Sequence, residues 1–205
     1  MTDPLLHSAG KPSDFHTFLV ISEEIRKVVD ISRQIALVAT NALLTTRQAG
    51  KGALGFGVVS SEMHAFSTML QTMMDEVRLK IFKLNNDLAD WHKQRRTLML
   101  FQATRAKIGQ RRYTRLDSII SRKQEEMESK ARRIDRGWNE LHNELKAAFN
   151  LCLTGKGYGR NAKIEAAYGL EFGGILKQVA EQIEITMNEI LNILQNLLNA
   201  IAADA

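Results

Sequence analysis

Residues 31–63 read ISRQIALVATNALLTTRQAGKGALGFGVVSSEM, and this stretch decides the fold. On its N-terminal side the apolar and small side chains follow alternating steps of three and four. The series runs Phe18, Ile21, Ile25, Val28, Ser32, Ile35, Ala39, Ala42, Thr46, Ala49. That spacing is the seam of a helix packed as in a coiled coil. A second stripe, Ile31, Leu37, Val38 and Leu44, predicts a broader apolar face, as a helix touching two neighbours requires. The seam then meets four glycines within residues 50–57. Glycine reaches positive φ without steric cost, so Gly50, Gly52, Gly55, Phe56 and Gly57 are read as a hairpin turn.

The same periodicity continues outward. Met63, Phe66, Leu70, Met73, Val77, Leu84, Leu88, Trp91 and Leu98 predict a second helix running to about Lys107. A basic stretch around Gly109, Lys107 to Arg115, is read as the second turn. Ile120, Met127, Ala131, Ile134, Trp138, Leu141, Leu145, Ala148 and Cys152 predict a third helix. A second glycine-rich run, with Gly155, Gly157 and Gly159, is expected to end it in a turn. Leu176, Val179, Ile183, Met187, Ile190, Leu194, Leu197 and Ile201 carry the fourth helix.

Composition agrees with this reading. The only prolines are Pro4 and Pro12, so no residue from 13 to 205 carries the ring that breaks helix interiors. The expected fold is all-α, a long antiparallel four-helix bundle or coiled coil made of two helical hairpins. Residues 1–14 form a flexible arm, hairpin one covers about 15–107 and hairpin two about 111–204. Each helix would hold roughly 35 to 50 residues, about 50–75 Å at 1.5 Å per residue. Short turns make neighbours antiparallel, so both glycine runs are expected at one end of the rod.

Several motifs point away from chemistry. Gly-Lys-Gly occurs at 50–52 and 155–157, but a phosphate loop needs Ser or Thr after the lysine and a strand before it. The five histidines are His7, His16, His64, His92 and His142, and none stands at metal-ligand spacing to another ligand. Cys152 is the sole cysteine. It excludes an intrachain disulfide, fits a reducing compartment and sits on a helix seam as a buried thiol would. Met63, Met69, Met73 and Met74 are read as core filling. No cofactor, metal site or catalytic activity is expected. Residues 1–11 lack the blocks of a signal peptide, and polar residues interrupt every apolar segment short of a membrane span. A cytoplasmic location is the expectation.

Residues 31–63 resemble the signalling tip of bacterial methyl-accepting chemotaxis receptors. Gln34, Ala39, Asn41, Ala42, Ala49, Gly50, Gly55, Phe56, Val58, Val59 and Glu62 stand at family positions without gaps. The resemblance covers about 50 residues, His16 to about Ser67. It implies a hairpin tip that contacts neighbouring receptors, a histidine kinase and a coupling adaptor, and in the family two such hairpins form a dimeric four-helix bundle. A homodimer is compatible with it. The contact residues it implies here are Leu37, Val38, Asn41, Val58 and Glu62. Thr45, Gln48, Lys51, Leu54 and His64 replace the family's charged residues, so the hairpin is kept while its contact chemistry differs. In Gln124-Glu125-Glu126 the small residue of a methylation site is replaced by Glu128, so adaptation by methylation is not expected.

The leading expectation is therefore a cytoplasmic chemoreceptor-like signalling protein. A structural or scaffolding bundle that has lost kinase coupling stands beside it. So does a binder of nucleic acid or anionic membrane surface, because residues 92–136 hold 14 Lys and Arg against 5 Asp and Glu.

Overall fold

The computed structural model describes residues 15–108, 114–168 and 173–203. The expected arm at 1–14 lies outside the described residues. Four helices follow one another: α1 Phe15–Ala49, α2 Leu54–Ile108, α3 Thr114–Ala167 and α4 Gly173–Ala203. A 3-10 turn, Gly50–Ala53, joins α1 to α2. No strand occurs among the described residues. Helix α1 packs on α2, α2 on α3, α3 on α4, and α4 closes the ring against α1. The architecture is the all-α four-helix bundle of two hairpins that the periodicity predicts.

The core is the set of seams. Phe18, Ile21, Ile25, Val28, Ser32, Ile35, Ala39, Ala42 and Thr46 of α1 are all buried. So are Leu141, Leu145, Ala148 and Cys152 of α3, and Leu176, Ile183, Met187, Ile190, Leu194, Leu197 and Ile201 of α4. Ser32 and Thr46 can lie inside because each hydroxyl donates to a carbonyl three residues earlier, Val29 O at 2.8 Å and Leu43 O at 2.9 Å. The second stripe on α1 is corrected in part. Ile31 is buried, but Leu37 and Leu44 face solvent. They lie beyond the arc that two neighbouring helices can cover.

The second glycine run is also corrected. Gly155, Gly157 and Gly159 are not a turn; they lie inside α3, which continues to Ala167. A Cβ on Gly155 would fall 2.7 Å from the Phe66 ring of α2 and 3.0 Å from Met187 Cε of α4. On Gly159 it would stand 3.6 Å from Glu184 Cα. These two glycines let α3 approach its neighbours closely. The chain reverses later, after Tyr168, whose N–H donates to Glu165 O at 3.1 Å. Gly173 opens α4.

The helices are consequently unequal: 35, 55, 54 and 31 residues. Antiparallel neighbours start from the same end. Gly55 of α2 faces Glu165 of α3, Gly57 faces Thr46 of α1, and Gly173 of α4 sits against Ala166 of α3. At that end, the tip, all four helices are present. Near the first turn of α1, Phe18 stacks on Trp138 of α3 at 5.3 Å between ring centroids. Beyond this level α2 and α3 continue as a helix pair for about twenty residues each, roughly 30 Å. Leu98 and Met127 are buried along the pair, and Arg105 and Asp117 pair at 2.6 Å near its outer end.

Candidate functional site

The tip has its own small core. Ala42, Ala53, Phe56, Val59, Ala162, Ala166, Leu176 and Ala180 are buried together, separate from the main cluster. Five of these eight are alanine, so the helices converge closely around Phe56, which is fully buried. Gly50, at φ +67°, ends α1 in a conformation that a side chain strains. Gly52 follows it in the 3-10 turn.

Gly55, Phe56 and Gly57 are not in the turn but in the first turn of α2. Their roles are in packing. A Cβ on Gly55 would collide with the Glu165 carboxylate, and one on Gly57 would stand 3.2 Å from Thr46 Oγ1.

The five expected contact residues divide into two strips. Leu37 and Val38 line a groove of about 270 Å³ with Gln34, Gln182, Ile183 and Thr186, between α1 and α4. Asn41, exposed, lies one turn further along the same edge. Val58 and Glu62, both exposed, share a side of α2. Glu62 follows Gly55 by two helical turns, and Gly55 faces α3, so this strip borders α3. In the ring of helices, the α1–α4 edge and the α2–α3 edge are opposite sides of the bundle. The structure does not bring the five residues into one patch.

Leu44 and Leu54 are exposed at the same level, and so are Ile164, Tyr168, Ile175 and Ile185, which the sequence reading passed over. Their signal was available as apolar residues off the seam. The polar surface is laced by ion pairs. Lys163 of α3 bonds Glu184 of α4 and holds its carboxyl below the usual range. On the α2–α3 edge Lys80 meets Glu144 and Glu140, and the hydrogen bond it donates to Glu144 raises the lysine above its ordinary value.

Cys152 is fully buried, and desolvation pushes its thiol up to about 12. A thiol so protonated at neutral pH is a poor nucleophile. Among the described residues no group of His, Cys, Asp or Glu is placed to hold a metal ion, and no helix is long and apolar enough to cross a membrane. No known family model matches the chain, and no curated protein or solved structure matches it either.

Proposed function

We propose that this chain is a chemoreceptor-like signalling protein of the cytoplasm that acts by protein–protein contacts around its tip and catalyses no reaction. A chemotaxis-type histidine kinase, its coupling adaptor or chemoreceptors are the partners. Hairpin two takes the place that a second protomer holds in the receptor family. The observation that supports the reading is the apolar surface left in water at the tip. Leu37 is 65% exposed, Leu54 66% and Val58 60%, on a hairpin whose turn and small-residue packing resemble the receptor tip. Leu54 and Val58 stand one turn apart on α2, and neighbouring apolar side chains left in water are a mark of an interaction surface.

The two strips give the test its design. Asn41→Ala reports the α1–α4 edge, and Glu62→Ala with Val58→Glu reports the α2–α3 edge. All three residues are exposed, so stability changes by no more than about 1 kcal/mol. The purified chain is added to a chemotaxis-type kinase and its coupling adaptor, and kinase autophosphorylation is followed. The wild-type chain is expected to bind and to change the rate, with one or both strip variants losing the effect. A chain that neither binds nor alters the rate contradicts the proposal and leaves the scaffolding reading in its place.

A further inference from the structure

From Trp91 to Leu116 the sequence contains eight lysines and arginines and no Asp or Glu. The fold puts the described residues of this segment at the outer end of the α2–α3 pair, where α1 and α4 no longer cover the helices. Lys93, Arg96, Leu100 and Lys107 fall on one stripe of α2, at steps of three, four and seven. The stripe points away from α3. Leu98, 4% exposed, marks the inner side, while Met99 and Leu100 are 57% and 65% exposed. Lys93, Arg96 and Lys107 have no carboxylate partner among the described residues. Arg105, by contrast, is paired with Asp117.

We propose that the outer end of the α2–α3 pair binds the surface of an anionic lipid bilayer, with Lys93, Arg96 and Lys107 against headgroups and Met99 and Leu100 inserted among the upper acyl chains. Cations alone would suit any polyanion, and the exposed Leu100 on the stripe and Met99 at its flank select among them. Both are flexible and aliphatic, and lie between cations, as on helices that rest in a membrane interface. Single-stranded nucleic acid would instead need aromatic faces for stacking. Among the described residues, the Trp and Phe rings of this end are not offered for that. Trp91 is half-buried against the core with Arg95 over its ring at 5.4 Å, and Phe101 is half-buried. A second copy of this end is disfavoured by the like charge of both surfaces. Since no described helix can cross a bilayer, the attachment is peripheral.

Flotation of the full chain with vesicles tests this. One set is neutral phosphatidylcholine; the other contains about 30% phosphatidylserine. Binding to the anionic vesicles alone is expected. Each basic residue near such a surface contributes about a fivefold gain in partition, so Lys93→Glu with Arg96→Glu should lower it at least about 25-fold. Met99→Ser with Leu100→Ser should lower it about tenfold without altering net charge. All four positions are exposed, and an unchanged melting temperature verifies that the variants fold. Equal binding to neutral vesicles, or none to anionic ones, overturns the proposal. So does indifference to the serine pair, or displacement from vesicles by duplex DNA, which would assign the end to nucleic acid.

Discussion

Gly155 and Gly157 stand two residues apart in α3 and meet opposite surroundings. Gly155 is buried against Phe66 and Met187, whereas a Cβ on Gly157 would meet nothing within 4 Å. Their substitutions should therefore differ in sign. Gly155→Val forces a branched side chain into a filled space and is expected to cost about 1–3 kcal/mol. Gly157→Ala relieves the entropy cost of glycine in a helix interior and should add about 0.5–1 kcal/mol. Chemical denaturation of the two variants reads both effects. Were the run a turn, Gly157→Ala would stabilise nothing. The pair also locates what the sequence hid. Glycine signals a turn through its freedom at positive φ and a close helix contact through its lack of a side chain, and composition alone does not distinguish these uses. The discriminating signal was the seam itself. Ala148, Cys152, Gly155, Gly159, Ala162 and Ala166 continue the three-four stepping straight through the run, and all six are buried.

At the level of elements, α1 was legible almost residue by residue because one unbroken seam defines it and Gly50 closes it. The end of α3 and the start of α4 were less so, since α3 runs through the richer glycine run to Ala167 and α4 opens only at Gly173. The two-strip division of the expected contact residues was not legible at all. Helical spacing fixes which side of its own helix a residue takes, but only the ring order of helices tells whether two sides adjoin. The length mismatch that creates the projecting α2–α3 pair depends on the α3–α4 reversal. Where the four-helix section ends, Phe18 is the apolar anchor, 3% exposed and stacked on Trp138. Phe18→Ala is expected to cost about 3 kcal/mol, the lower end for a buried phenylalanine because the first turn of α1 can fray. The fluorescence of Trp138, which that ring shields, should shift to the red in the folded variant. An unchanged spectrum and denaturation midpoint would place the start of α1 away from α3.

The whole molecule is polar along its length. One end gathers both hairpin reversals and a small alanine-rich core; the other is a helix pair rich in uncompensated cations, and both ends carry solvent-facing apolar side chains. Both functional proposals rest on this polarity, and it holds only if the two hairpins lie side by side with their α1–α2 and α3–α4 reversals together. Distances between spin labels measure that directly. In a Cys152→Ala background, labels replace Leu54 and Tyr168, exposed residues at the start of α2 and just past the end of α3. Neighbouring helix ends packed 8–10 Å apart should place them on the order of 20 Å from each other. A second pair at Leu54 and Lys107 lies on one helix and serves as a ruler, with about 80 Å expected at 1.5 Å per residue. A short first distance beside a long second one is the result this architecture predicts. A Leu54–Tyr168 separation approaching the ruler would mean that the hairpins extend in opposite directions, and would contradict it.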